Sequence, residues 1–454
     1  MTNQSICALA TKAGGAIAII RVSGDDSIAI TDQIFQGRKS LTEVKANSVH
    51  YGNIIDKEGN TIDDVLISVF HAPHSYTGEN SIEINCHGSI YIVKNIIQAL
   101  IEKGCRQAGP GEYTQRAYLN GKMDLSQAEA VADLIAATNK ATHKLALSQL
   151  KGHFSNELST LREQLLKLTS LLELELDFSD HEELEFADRS ELQALAEKID
   201  KRITTLAHSF ETGRALKNGI PVAIIGKTNV GKSTLLNQLL HEEKAIVSDI
   251  DGTTRDVIED TIDIHGVNFR FIDTAGIRQT EDKVEQIGIK RAYQKLEEAT
   301  IVLWILDNQP SKEEVLDIQN RTKEKQVIIL SNKMDIKPQS SYNFYDFRPF
   351  AELQISAKEG IGITELEQKL YEASDIPEID EDSIIVTSAR HYEALIRAKE
   401  SIERVIEGMK MSLSGDLLAE DLRICLQELA DITGGQITTH EVLGNIFKHF
   451  CVGK

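Results

Sequence analysis

The octapeptide GKTNVGKS, residues 226–233, constrains this chain more than any other feature. An apolar run at 222–225 precedes it and a helical pattern at 234–240 follows, the strand–loop–helix setting of a phosphate-binding loop. Its glycines let backbone N–H groups curl around an anion at a helix N-terminus. Lys232 then reaches the terminal phosphates, and the Ser233 hydroxyl suits Mg²⁺. Asn229, Val230, Gly231, Lys232, Ser233 and Thr234 are the expected contacts. Such a loop belongs on a doubly wound parallel sheet, and residues 220–373 alternate strand and helix textures as that fold requires.

Further motifs follow in order. A strand at 269–272 delivers Asp273, Thr274, Ala275 and Gly276, with Asp273 placed to support the Mg²⁺ shell and the Gly276 N–H to meet a terminal phosphate. Another at 327–330 delivers Asn332, Lys333 and Asp335. The Asp335 carboxylate accepts only, which suits the N1–H and N2–H₂ of guanine; adenine has no such donor pair on that edge. Ser356, Ala357 and Lys358 follow a strand at 353–355, and the Ala357 N–H is read as the donor to guanine O6. Together these predict GTP rather than ATP.

The position after the DTAG motif, where Ras-type GTPases orient water with Gln, holds Ile277. Either hydrolysis is poor or the catalytic group comes from elsewhere, with Arg278 and Glu285 the nearby candidates. Asn229 faces a segment rich in oxygen donors: Ser248, Asp249, Ile250, Asp251, Gly252, Thr253 and Thr254. Either these hold a monovalent cation beside the phosphates, acting where other GTPases use an arginine finger, or Asn229 only shapes the loop.

The rest of the chain divides by texture. Residues 1–119 mix β-branched runs (16–22, 65–70, 81–85) with one apolar helix near 90–101, an α+β pattern. Leu158, Leu161, Leu165, Leu168 and Leu172 step by 3, 4, 3, 4, one seam of a helix that needs partners in a bundle. Helical texture returns after 388 in a piece too short for a core of its own. The expected organisation is therefore a multidomain α/β and all-α chain: an N-terminal α+β domain at 1–119, helical parts at 120–215 and 379–454, and an inserted Ras-like P-loop domain at 216–378.

With 49 Lys+Arg against 70 Asp+Glu, the net charge of −21 argues against a broad electrostatic grip on nucleic acid. Five scattered cysteines fit a reducing compartment, no secretory signal or membrane span is read, and a cytoplasmic location is expected.

GKTNVGKS, DIDGTTRD (249–256), DTAG, the N-terminal pieces RVSG (21–24), SYTGE (75–79) and PGEYTQRAYLNGK (110–122), and the terminal CVGK together resemble the MnmE (TrmE) family of tRNA-modification GTPases over essentially the whole chain. The resemblance implies a folate-binding, dimerising N-terminal domain, a helical domain split by the G domain, and a K⁺-dependent GTPase. It implies action with MnmG, an FAD- and NADH-using partner, in a heterotetramer or larger complex. That complex would install an aminomethyl- or carboxymethylaminomethyl-type group at C5 of the wobble uridine. Formyl- or methylene-tetrahydrofolate would supply the carbon, and the tRNA would be held mainly by the partner. By position it makes Asn229, Ser248, Ile250 and Thr253 K⁺ ligands, and Ser233 and Thr254 Mg²⁺ ligands. Glu285 would orient the attacking water through a second water. Arg21, Glu79, Lys122 and Lys454 would line the folate pocket, with Cys451 either reacting near the folate or only packing. Thr228, Lys12, Ala13, Gly109 and Val452 depart from the family pattern, Gly109 replacing an Arg.

Other features have plainer readings. The carboxylates Glu173, Glu175, Asp177, Asp180, Glu182, Glu183 and Glu185 form a solvated face or a docking surface. His87 either lines the folate pocket or is a satisfied structural histidine, and Trp304 is core. A GTP-switched ribosome or RNA assembly factor is the alternative function; the acidic helical C-terminus, where such a factor would carry a basic RNA-binding domain, speaks against it.

Overall fold

The computed structural model describes residues 4–177, 189–241, 260–272, 296–336, 342–377, 379–380, 383–435, 447, 450 and 453. The chain forms two compact units: Met1–Ala136 with Ala146–Ile203 and Glu393–Lys454, and Ala137–Leu145 with Thr204–Tyr392.

In the first unit, strands β1 (Ile6–Leu9), β2 (Ile17–Ser23), β3 (Phe35–Gly37), β4 (Ser48–Ile55), β5 (Thr61–Phe70), β6 (Ser81–His87) and β7 (Arg106–Gln107) form one sheet in the order β3-β4-β5-β6-β2-β1-β7. Neighbours run antiparallel except β1 and β7. The side-chain period of two sends Val65, Ile67 and Val69 inward and leaves Asp64 and Leu66 exposed. Helix α1 (Ser27–Asp32) and helix α2 (Ile90–Glu102) close the inner face, α2 with Val93, Ile96 and Leu100. Helices α3 (Glu112–Leu119), α4 (Leu125–Ala136), α5 (Lys140–Leu150), α6 (His153–Asp177) and α7 (Arg189–Asn218) follow.

The second unit is built on a six-stranded sheet. It comprises β8 (Ile220–Ile225), β9 (Asp260–Ile264), β10 (Val267–Ile272), β11 (Ile301–Leu306), β12 (Gln326–Ser331) and β13 (Ala351–Gln354), in the order β13-β12-β11-β8-β10-β9. All pairs are parallel except the edge pair β9–β10. Central β11 is buried along its whole length, as a strand covered on both faces must be. Ile301, Leu303 and Ile305 pack with Leu235, Leu236 and Leu239 of α8 (Lys232–His241) and Leu366 and Leu370 of α10 (Ile363–Ala373). Val302, Trp304 and Leu306 pack on the other face with Val315 and Ile318 of α9 (Lys312–Arg321) and with Phe344.

This unit extends beyond 216–378 because its flanks pack into it. Ala141, Leu145 and Leu216 join its core, Lys144 Nζ donates to the Ile379 carbonyl (2.8 Å), and Phe210 stacks on Tyr392 (4.5 Å between centroids).

After the inserted α/β module come α11 (Ala389–Lys410) and α12 (Gly415–Thr433). Every leucine of the 158–172 seam is buried, α6 packs against α12, and α12 buries Leu418, Leu422, Cys425 and Leu429. Arg397–Glu428 and Arg404–Asp421 (both 2.8 Å) tie α11 to α12, and Arg202–Glu157 ties α7 to α6. Helices from before and after the module thus share one bundle.

Leu165→Ala should cost about 2–5 kcal/mol in chemical denaturation, the usual range for emptying a packed leucine site. Leu166→Ala, at a residue 43% exposed, should stay within about 0.5 kcal/mol.

Candidate functional site

The parallel strands of the second unit place the residues after β8, β11, β12 and β13 along one edge of the sheet, at the carboxyl ends of the strands. The chain's connections diverge to either side of β8, so the edge holds the crevice in which open α/β sheets bind ligands. The loop after β8 turns through two left-handed glycines, Gly226 (φ 152°) and Gly231 (φ 103°). A Cβ on Gly226 would lie 2.5 Å from the Ile305 carbonyl oxygen, and one on Gly231 would lie 2.3 Å from Asn332 Nδ2. Asn229, exposed at the loop tip, also has positive φ (60°).

Lys232, the first residue of α8, folds back over this loop. Its ammonium donates to the carbonyls of Gly226 (2.8 Å) and Lys227 (2.6 Å), and burial lowers its pKa below the usual lysine value. Ser233 is half-buried beside it, and Thr234 is exposed. Lys227 itself pairs with Glu314 of α9 (2.6 Å).

Asn332, 4% exposed, joins the loops. Its Nδ2 donates to the Val230 carbonyl (2.7 Å), and its Oδ1 accepts from the Ala357 N–H (3.0 Å). Lys333, in the left-handed region (φ 69°), pairs with Asp307 at the end of β11 (2.9 Å), and that ammonium holds the Asp307 carboxyl below the usual range. Asp335 is exposed and accepts from Ser356 Oγ on one oxygen, Oδ1 (2.7 Å). Lys358 is exposed at the same edge. The Ala357 N–H, read as the donor to guanine O6, donates here to the Asn332 side chain.

The structure therefore brings together the 226–234, 332–335 and 356–358 segments. Ser248, Asp249, Ile250, Asp251, Gly252, Thr253, Thr254, Asp273, Thr274, Ala275, Gly276, Arg278 and Glu285 lie outside the described residues, as do Cys451 and Lys454.

The first unit carries a second constellation. Arg21 on β2 donates to Glu83 Oε1 from Nη2 (2.8 Å) and Nε (3.1 Å), and to the Gly453 carbonyl from Nη1 (3.5 Å). The guanidinium carbon lies 5.4 Å from the ring centroid of Tyr76 and 5.7 Å from that of Tyr113, within cation–π range. Gly453 packs against β1 so closely that a Cβ there would be 2.2 Å from the Leu9 carbonyl oxygen. Two residues along β2, Ser23 Oγ donates to Glu79 Oε2 (2.8 Å). Glu79 is also gripped by Arg116 of α3, through Nη1 to Oε1 (3.1 Å) and Oε2 (3.0 Å). Sequence reasoning missed Arg116 as a site residue: it lies within the 110–122 segment, but only the fold brings it to Glu79. Lys122 is exposed and donates to the Pro73 carbonyl (3.0 Å). His87 is mostly exposed, yet Asp63 accepts from its backbone N–H and contacts Nδ1 (both 2.8 Å), fixing the ring at the end of β6.

Asn332→Ala removes both bridging bonds and leaves a buried carbonyl and N–H unpaired. It should lower stability by about 1–3 kcal/mol for each buried group left without a partner, read by urea titration of Trp304 fluorescence, since Trp304 lies in the core of the same unit.

Comparison with known proteins agrees with this picture along the chain. The profile of the MnmE helical domain matches residues 125–451, and that of the GTP-binding protein TrmE N-terminus matches residues 5–122. A protein of Parabacteroides distasonis named tRNA modification GTPase MnmE is 56% identical, over 99% of this chain and 100% of its own length. Proteins of the same name from Phocaeicola vulgatus (55%) and Bacteroides fragilis (53%) match over the full length of both chains. On residues, architecture and these matches alike, the chain belongs to the MnmE (TrmE) family.

Proposed function

We propose that this protein is a GTP hydrolase acting in tRNA modification. The observation that carries the reading is the joint placement, at one sheet edge, of a glycine-turned phosphate loop and a carboxylate with one free face. Lys232 rests on two loop carbonyls that a triphosphate oxygen can replace, and Asp335 keeps Oδ2 for the paired N–H donors of guanine. The relatives named above carry the same activity in their names.

The finer reading follows the family. Mg²⁺, held through Ser233 and Thr254, would neutralise charge on the phosphates. K⁺, held by Asn229 with Ser248, Ile250 and Thr253, would supply positive charge where no arginine finger stands. The exposed Asn229 at the loop tip suits that role. Glu285 would orient water in place of the absent glutamine. In the first unit, Arg21, Glu79, Lys122 and Lys454 would bind a one-carbon tetrahydrofolate: a pterin edge needs a carboxylate and a glutamate tail needs cations. The modification would be an aminomethyl-type group at the wobble uridine C5. The chain would act as a homodimer with the FAD- and NADH-using MnmG, whose surface would hold the tRNA that a charge of −21 repels. The described helices include none long and apolar enough to cross a membrane.

Labelled GTP analogue should bind and an ATP counterpart should not; equal uptake of both overturns the nucleotide assignment. Hydrolysis should be faster in KCl than in NaCl, and Asn229→Ala should erase the difference. Deleting the gene should strip the C5 substituent from wobble uridines, seen by mass spectrometry of tRNA digests.

The lowered Lys232 pKa adds a pH signature. In the free protein this ammonium loses its proton at a lower pH than an ordinary lysine, whereas a bound triphosphate favours the charged form. Binding at alkaline pH must therefore take up a proton, and GTP affinity should fall as pH rises. Calorimetry in buffers of different ionisation enthalpy measures that uptake directly.

A further inference from the structure

Arg116 is 8% exposed and uses all three guanidinium nitrogens. Besides the two bonds from Nη1 to Glu79, Nη2 donates to the Gln4 carbonyl (3.0 Å) and to Glu112 Oε1 (3.1 Å), and Nε to the same oxygen (3.3 Å). Glu112 has a cation of its own in Arg106, which contacts both its oxygens, and it accepts the Gly109 N–H (2.9 Å). Two arginines thus face two carboxylates. Arg116 spans both carboxylates, with Nη1 wholly on Glu79, while Arg106 adds a second cation to Glu112.

Glu79 is held from the other side as well. Ser23 Oγ stands between Glu79 Oε2 (2.8 Å) and Thr77 Oγ1 (2.7 Å). A carboxylate offers about four lone-pair sites. Arg116 occupies one on each oxygen and Ser23 a second on Oε2, so Oε1 keeps acceptor capacity on a side chain still 20% exposed. Arg21 reaches the same neighbourhood from two residues along β2. A glutamate on a mobile chain loses rotamer freedom when a ligand docks; one clamped beforehand does not.

We infer that Arg116 is a positioning residue, fixing Glu79 as a rigid acceptor that selects a pterin by its N–H donors. This rests on the folate reading above and assigns within it which residue makes the carboxylate selective. Arg116 touches no ligand itself; it acts through Glu79.

The test uses the full chain and two ligands, 5-formyl-tetrahydrofolate and its 2-desamino analogue, in equilibrium binding. The wild-type protein should prefer the amino ligand by roughly 10–100-fold, the scale of a hydrogen bond to a charged group. Arg116→Met should bring the two affinities within about threefold of each other, whereas damage to the pocket's general shape weakens both ligands equally. Arg116→Lys keeps the buried charge but has no fork to span Glu79, Glu112 and the Gln4 carbonyl. It should fold and still lose most of the preference, and it decides the matter should the Met variant not fold. GTP-analogue binding in the same samples reports on folding of the second unit. A preference retained in both variants overturns the role of Arg116 while leaving the folate reading in place. A wild-type chain that binds neither ligand overturns both.

Discussion

One buried side-chain amide holds the nucleotide edge together. Asn332 reaches back to the carbonyl of Val230 and forward to the N–H of Ala357, so the loops after β8, β12 and β13 are spaced by a single rigid group. Neither backbone group has a replacement partner in water, because Asn332 is itself buried. The strand order places β11 between β8 and β12, which sets the distance the amide must span. It also explains Gly231: the amide nitrogen occupies the volume where a Cβ would go. The expected phosphate and base contacts are thereby locked into one register, which is what a site measuring a whole nucleotide requires.

Much of this was legible because it is local. The octapeptide at 226–233 carries its own turn chemistry, and the run at 301–306 is apolar throughout because both faces of β11 are covered. The 3, 4, 3, 4 seam of leucines in α6 follows directly from helical geometry. Strand ends were placed one to four residues short, as at 222–225 against Ile220–Ile225 and 65–70 against Thr61–Phe70, since polar and proline ends carry no periodic signal. Long-range pairing was not legible. Nothing in the sequence ties Arg116 to Glu79 across 37 positions, or Arg21 to Gly453 across 432. The bond from the Ala357 N–H to Asn332 is illegible for the same reason, since its partner follows another strand.

The ion network around Glu79 and Glu112 is a poor candidate for stabilising the first unit. Bringing two carboxylates and two guanidinium groups into a partly buried site loses hydration that the pairing only roughly returns. What the arrangement secures is direction. Arg116 directs Nη1 at Glu79 while its other two nitrogens, with Arg106, hold Glu112, and Ser23 donates to Glu79 with Thr77 behind it.

The two constellations hold their charged side chains in opposite ways, and the difference follows from the charge of the group doing the holding. Lys232 is kept in place by neutral carbonyls, which a phosphate oxygen outcompetes because it adds full charge to the bond. Its resting contacts are exchanged when an anion arrives, and its proton affinity changes with them. Glu79 is kept in place by a guanidinium, which no neutral N–H donor displaces. Its resting contacts would persist under the proposed folate, which would be added to what capacity remains. A site built from exchangeable contacts suits a bound species that is cleaved and released. One built from permanent contacts suits a cofactor recognised by a fixed edge. On the proposed reading, the chemistry of the holding groups therefore separates a turnover site from a recognition site within a single chain.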